Sequence, residues 1–92
     1  MVYEDLPGGD LVEKGLADLA AKRETPEALL VSIGAPRLRA AKVPVPDETI
    51  AEPERRLYEL LALEDADSAH SRYNALVRRL VSFEDAVECV GL

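Results

Sequence analysis

The sequence predicts an all-α protein that folds as one compact bundle of four or five helices. Leu and Ala, which favour helices, are the most frequent residues, whereas Ile occurs twice and Trp is absent. Apolar residues recur at spacings of three and four along much of the chain. Residues 43–46 alternate like a strand, but their two prolines cannot donate ladder hydrogen bonds.

Length and composition narrow the class of protein further. The 92 residues suffice for one domain, so we assign residues 1–92 to a single helical domain. A single Cys cannot form an internal disulfide, and one Cys with one His provide few ligands for a zinc site. We therefore expect no cofactor. No apolar run approaches the roughly 20 residues of a membrane span, and the start of the chain lacks the apolar core of a signal peptide. We therefore expect a soluble, cytoplasmic protein without a membrane partner.

The N-terminal part of the chain predicts an arm followed by a helix. Residues 1–9 form the arm, which ends in a Pro-Gly-Gly turn. Asp10 is the predicted N-cap of a helix over residues 11–23, because Glu13 follows it by three residues, as in a capping box. Gly15 lies inside this helix and is explained either by a close neighbouring helix or by simple tolerance. The apolar stripe of the helix consists of Val12, Leu16 and Leu19.

The second helix has the clearest start signal in the sequence. Thr25 suits the N-cap position, and Pro26 suits the first helical position, where its missing N–H is not needed. We predict that this helix ends at Ile33. Gly34 would follow in the left-handed conformation, and Pro36 would prevent the helix from resuming.

The next segments lead into a third helix. Residues 37–42 can add one or two helical turns, and residues 43–49 form a Pro-rich, extended connector. The third helix begins near Pro53 and is apolar over a wide arc, so we expect it to lie centrally with neighbours on two sides. The apolar residues of this helix are Leu57, Tyr58, Leu60, Leu61 and Leu63.

The C-terminal quarter of the sequence carries the most regular pattern. Seven apolar residues are spaced 4-3-4-3-4-3, which is a heptad seam: Ala69, Tyr73, Leu76, Leu80, Phe83, Val87 and Val90. The seam predicts one long helix over about 68–90 that ends at Gly91 and lies antiparallel to the third helix. The alternative is a break at Ser82, because Ser-Phe-Glu-Asp resembles a capping box.

The net charge of −7 is distributed in blocks. Residues 35–46 and 68–83 each contain three basic and no acidic residues, whereas residues 47–67 contain eight acidic and two basic residues. Acidic and basic elements can face one another inside the bundle or across a dimer. Alternatively, the basic residues gather into one phosphate-binding patch. That patch would comprise Arg37, Arg39, Lys42, Arg72, Arg78 and Arg79. The acidic total opposes the approach of a polyanion, so nucleic acid is the less favoured partner.

Residues 28–40 can be compared with a helix-turn-helix motif. They contain a helix, a glycine turn and a basic segment in which Arg37 and Arg39 would face bases or phosphates. The match is weak, because Leu30 stands where this motif usually has a small residue. The second helix of the motif would also end within about two turns, at Val43.

A polar face on the long helix is the second candidate site. Its residues are His70, Ser71, Arg72, Asn74, Arg78 and Arg79. Asp67 precedes His70 by three residues, but bundle metal sites need Glu at that spacing and a second copy of the pair. Ser71 and His70 are adjacent, so their side chains diverge by about 100° on a helix and do not form a nucleophile–base pair. We interpret His70 as structural and lean against an enzyme, the alternative being a small enzyme in which Arg72 or Arg78 holds a phosphate.

These patterns lead to a ranked set of functions. We favour a protein–protein interaction module that self-associates as a homodimer through the long helix or the third helix. The reason is that Val77 and Val81 lie beside the seam, which gives more apolar surface than one small bundle buries. The alternative is a nucleic-acid-binding regulator that uses the basic segments 37–42 and 72–79.

Overall fold

The computed structural model describes residues 3–90, except for the side chain of Glu4, and contains no strand among them. Its elements are a 3₁₀ turn, Tyr3–Asp5, and four helices: α1, Gly9–Ala20; α2, Pro26–Ala40; α3, Pro53–Glu64; and α4, Ala69–Val90. The all-α class and the long C-terminal helix are thus confirmed, and α4 continues through Ser82 without a break. The first two residues of the predicted arm and the predicted stop at Gly91 lie outside the described residues.

Helix α1 begins at a glycine rather than at the predicted aspartate cap. Its N-cap is Gly8, in the left-handed conformation with φ of 73°. A Cβ atom at this position would lie 2.5 Å from the carbonyl oxygen of Arg79, so glycine lets the start of α1 approach α4. The carboxylate of Asp10 accepts a hydrogen bond from the side chain of Arg79 at 2.9 Å and does not cap the helix.

Helix α2 starts as predicted but runs well past the predicted end. Thr25 is the N-cap, and its hydroxyl accepts a hydrogen bond from the N–H of Ala28 at 3.1 Å. The predicted end at Ile33 is wrong, because the helix continues to Ala40. Pro36 lies inside the helix, where it removes one backbone donor, and its side chain is exposed.

The glycine that was expected to end α2 serves helix packing instead. A Cβ atom on Gly34 would lie 2.8 Å from Oε2 of Glu84 and 3.1 Å from Cδ1 of Leu80. Helix α4 therefore crosses α2 at this point, and the absent side chain provides the space. Gly15 of α1 has the same role against α2, where a Cβ atom would lie 2.5 Å from Cγ2 of Val31 and still closer to the backbone of α2.

The central helix of the bundle is α2, not α3. Helix α2 packs against α1, α3 and α4, and eight of its fifteen residues are buried. Because it is covered on several sides, its sequence shows no single apolar stripe. Helix α3 buries Leu57 and Leu61 but leaves Tyr58 40% exposed and Leu63 84% exposed. Helix α3 does have neighbours on two sides, α2 and α4, but the expectation that it is the central helix is wrong.

Helices α1 and α2 end in the same way, with the sequence Ala-Ala-Lys. Lys22 and Lys42 both adopt the left-handed conformation, with φ of 59° and 70°. In each case the N–H of the next residue bonds to the carbonyl five residues earlier, at 2.8 Å in α1 and 3.0 Å in α2. This is the Schellman motif, in which the left-handed position is usually glycine. The connector of residues 43–52 leaves from the second motif and is held where the N–H of Ile50 donates to the hydroxyl of Ser32 at 3.1 Å.

The core forms where α4 meets α1 and α2. Phe83 is fully buried there, and the ring of Tyr3 packs edge-on against it at 5.5 Å between centroids. Leu80 and Val87 of the predicted seam are also buried, whereas Val90 at the end of α4 is about half exposed. The heptad seam thus serves the core of one chain over most of its length.

Candidate functional site

Arg37, a member of the predicted basic patch, is surrounded by carboxylates. Its guanidinium group donates to three side chains of α4: Glu88 at 2.7 Å, Asp85 at 2.6 Å and Glu84 at 3.2 Å. The hydrogen bonds that Arg37 donates to Glu88 and Asp85 raise the pKa of Arg37, and the same bond to Glu88 lowers the pKa of Glu88. Arg37 therefore joins α2 to α4 and is not available to a phosphate unless these bonds break.

Glu84 is the buried member of this cluster. Its side chain is almost fully enclosed beside Gly34, and burial raises the pKa of the carboxyl group against the opposing effect of Arg37. A buried carboxylate that lost its guanidinium partner would be strongly destabilising. The pair therefore fixes where α4 crosses α2.

The other predicted phosphate contacts are spread over the molecule. Three of them are engaged: Arg79 with Asp10 of α1 at 2.9 Å, Arg72 with Glu64 of α3 at 2.8 Å, and Arg39 with the carbonyl oxygen of Pro46 at 2.6 Å. Lys42 lies exposed at the end of α2, and Arg78 lies exposed on α4. With Arg37 included, the engaged groups are directed to four different parts of the fold.

The structure brings only some residues of the predicted polar face into contact. His70 is exposed, its Nε2 atom lies 3.2 Å from the amide nitrogen of Asn74, and its ring packs on Tyr58 at 6.3 Å between centroids. The hydrogen-bond partner of the imidazole is thus Asn74 and not Ser71, which is exposed next to it. Arg78 lies two turns further along α4.

A second charged cluster, which the sequence did not reveal, lies at the corner between α1 and α2. The buried carboxylate of Asp18 accepts hydrogen bonds from Lys14 at 2.7 Å, Thr25 at 2.6 Å and Arg23 at 3.0 Å. These bonds lower the pKa of Asp18 to about 2, and the bond from Lys14 has the largest effect. Because both carboxylate oxygens are occupied, this cluster stabilises the corner and offers no group for chemistry.

Two surface depressions stand out in the described part of the chain. One of about 420 Å³ lies between the end of α1 and the connector, and includes Leu19, Lys22 and Ile50 in its walls. The other, of about 460 Å³, lies on the outer side of α3 beside Leu63. His70 lines neither of them. Within residues 3–90 no group of His, Cys, Asp or Glu is arranged to hold a metal ion, and no helix there is long and apolar enough to cross a membrane.

Partly exposed apolar residues lie on α3 and α4, and we call Tyr58, Tyr73, Val77 and Val81 the apolar face. The rings of Tyr58 and Tyr73 are 5.8 Å apart between centroids. Val77 and Val81 follow Tyr73 at intervals of four residues, which places them on the same side of α4. Tyr58 and Val81 are each 40% exposed, and Tyr73 and Val77 are partly buried. The face is therefore covered in large part, but not completely, by its own chain.

The comparisons with known proteins indicate no function, so the proposal below rests on the geometry described above. No family model, no curated protein and no solved structure matches the chain. The sequence identified Val77 and Val81 as apolar positions beside the seam. It missed the role of Tyr58, which we counted among the apolar residues of a central third helix, because the outward side of α3 could be recognised only after α2 proved to be the central helix.

Proposed function

We propose that this protein is a protein–protein interaction module that self-associates through the apolar face. The observation that carries the proposal is the contact of Tyr58 with Tyr73 between two helices, together with partly exposed Val77 and Val81 at four-residue intervals along α4. Single exposed apolar residues are ordinary on a protein surface, but a contiguous patch on two elements is typical of an interaction site.

The lengths of the two helices support the same proposal. Helix α3 has 12 residues and α4 has 22, so α4 is about 15 Å longer at 1.5 Å per residue. Val81 lies in the C-terminal half of α4, where Leu80 and Phe83 are buried but Val81 is still 40% exposed. A second copy of the chain could cover this stretch and so complete the packing of α4.

Nucleic-acid binding through residues 37–42 and 72–79 is the alternative, and it has less support. Arg37, Arg39, Arg72 and Arg79 are already bonded within the chain, and the net charge of the protein is −7. Each of these bonds would compete with a phosphate. A titration with duplex and single-stranded oligonucleotides at low salt separates the two functions, because steeply salt-dependent binding would favour the alternative.

The test of self-association compares two substitutions that add the same charge at different places. Val81→Glu places a carboxylate on the apolar face, whereas Leu63→Glu places one on α3 five residues after Tyr58, about 140° around that helix. Because both positions are exposed in the monomer, both variants should fold, which circular dichroism and thermal unfolding will verify.

We expect Val81→Glu to weaken the dimer about tenfold or more, because it removes partial burial of an apolar side chain and leaves a charge without a partner. Leu63→Glu should leave the dissociation constant within about threefold of the unmodified protein, as exposed surface substitutions usually do. Sedimentation equilibrium measures both constants. A monomeric unmodified protein at high micromolar concentration, or equal effects of the two substitutions, would count against the proposal.

A further inference from the structure

The depression between the end of α1 and the connector has the size of a binding site for a small molecule. Its volume is about 420 Å³, within the range of about 300–1,000 Å³ that is usual for ligand pockets. Two of its wall residues are apolar parts of the protein interior, since Leu19 belongs to the hydrophobic core and Ile50 packs against it. None of its wall residues belongs to the apolar face, so this site is independent of the self-association proposed above.

The wall that follows α1 is held by ion pairs with other parts of the fold. The guanidinium group of Arg23 donates to the buried carboxylate of Asp18 at 3.0 Å. The carboxylate of Glu24 accepts two hydrogen bonds from Arg56 of α3, at 2.6 and 2.9 Å. Arg23 and Glu24 are therefore wall residues whose charges are already matched within the chain.

The wall that the connector contributes is held by α2 at two points. The carbonyl oxygen of Pro46 accepts a hydrogen bond from Arg39 at 2.6 Å, and the N–H of Ile50 donates to the hydroxyl of Ser32 at 3.1 Å. Pro46 and Ile50 both line the depression. Because both walls are fixed by contacts with the rest of the chain, a ligand meets a preformed site and does not have to order the connector.

Two wall residues keep charges that are not matched in this way. Lys22 follows α1 and Glu48 lies in the connector, and both are exposed. Neither forms an ion pair with any side chain that the structure describes. A simple anion would meet the carboxylate of Glu48, and a simple cation would meet the ammonium group of Lys22. Only a molecule that carries both charges complements both residues.

We propose that this depression binds a small zwitterionic molecule with an apolar side chain, of the size of a free amino acid or a dipeptide. The carboxylate of the ligand pairs with Lys22, its ammonium group pairs with Glu48, and its side chain packs against Leu19 and Ile50. Exposed ion pairs are individually weak. The affinity therefore depends on both charges and the apolar side chain together.

The test follows the amide resonances of the full chain by NMR while leucine or leucyl-leucine is added to millimolar concentration. The comparison probe is N-acetyl-leucine amide, which keeps the apolar side chain but carries neither charge. We expect the two zwitterions to shift resonances around Lys22, Glu48 and Ile50, and the capped probe to leave them unchanged at the same concentration. The zwitterion that binds more tightly shows whether the natural ligand is a free amino acid or a peptide.

Four substitutions that each remove one charge test the two ion pairs. Lys22→Gln and Glu48→Gln should each weaken binding about threefold to fivefold, which is the effect of an exposed ion pair. Lys42→Gln is the control for the first, because Lys42 ends α2 in the same left-handed conformation but does not line the depression. Glu54→Gln is the control for the second, because Glu54 is also exposed and also lies outside the depression. Both controls should bind like the unmodified protein.

Several results would overturn the proposal. Neither zwitterion would shift any resonance, the shifts would spread over the surface away from the depression, or the capped probe would bind as well as leucine. The proposal is also wrong if the control substitutions weaken binding as much as Lys22→Gln and Glu48→Gln do. Because all four positions are exposed, the variants should fold, and circular dichroism verifies that they do.

Discussion

Replacing Asp18 with Asn tests the most strongly perturbed carboxylate of the fold. The side chain of Asp18 is 3% exposed and accepts bonds from Lys14, Thr25 and Arg23. Asn retains the shape of the side chain but loses the negative charge that the two cations face. The substitution therefore changes the electrostatics of the α1–α2 corner with little change in packing.

The magnitude follows from the lowered pKa of Asp18. The pKa falls from 3.8 to about 2 on folding, and one pKa unit corresponds to about 1.4 kcal/mol, so the ionised group contributes about 2 kcal/mol of stability at neutral pH. A carboxylate with a lowered pKa stabilises the folded state above its unfolded pKa. The contribution is therefore present above about pH 4 and disappears as the pH falls to about 2.

The assay is urea unfolding of the unmodified protein and of Asp18→Asn from neutral pH down to about pH 2. We expect the difference in unfolding free energy to be about 2 kcal/mol at neutral pH and to narrow across the acid range. Taking the difference removes the effects of Glu88, whose pKa is lowered, and of Glu84, whose pKa is raised, because both are common to the two proteins. A difference that is absent at neutral pH, or that stays constant with pH, would refute the assignment.

Three further substitutions test packing and backbone conformation by urea unfolding at neutral pH. Gly15→Ala should destabilise the fold by about 1–3 kcal/mol, because the new methyl group would overlap Val31 and the backbone of α2. The cost of this overlap exceeds the gain in helix propensity. An increase in stability would contradict the close approach of α1 and α2. Lys42→Gly should stabilise the fold by about 0.5–1 kcal/mol, because it relieves the left-handed conformation, and a loss of stability would show that the lysine side chain has a role of its own. Phe83→Ala should cost about 3–5 kcal/mol, since the ring is fully buried; a cost below about 1 kcal/mol would place Phe83 outside the core.

The starts of α2 and α3 and the long helix could be predicted because their signals are local. Thr25 and Pro26 specify an N-terminus through their own hydrogen-bonding and backbone geometry, whatever surrounds them. The end of α2 could not be predicted in the same way. Gly34 fits a helix stop and fits a close helix crossing equally well, and only the position of α4 decides between them. Pro36 likewise fits a helix interruption, yet the helix continues through it.

The contacts of the charged residues could likewise be predicted only in part. The charge blocks predicted that acidic and basic elements could face one another, and Arg37 of the basic segment 35–46 does bind carboxylates of α4. The identity of those partners was beyond sequence reasoning, because they lie 47–51 residues away and depend on where α4 crosses α2. Asp18 was missed because a single acidic residue in an amphipathic helix gives no sign that it will be buried.

Sedimentation equilibrium of the full chain, over a concentration series that reaches the high micromolar range, is the most direct test of self-association through the apolar face. The expected result is an average mass that rises with concentration from 10.0 kDa toward twice that value, with the rise displaced to higher concentration in Val81→Glu but not in Leu63→Glu. A mass of 10.0 kDa at every concentration would contradict it.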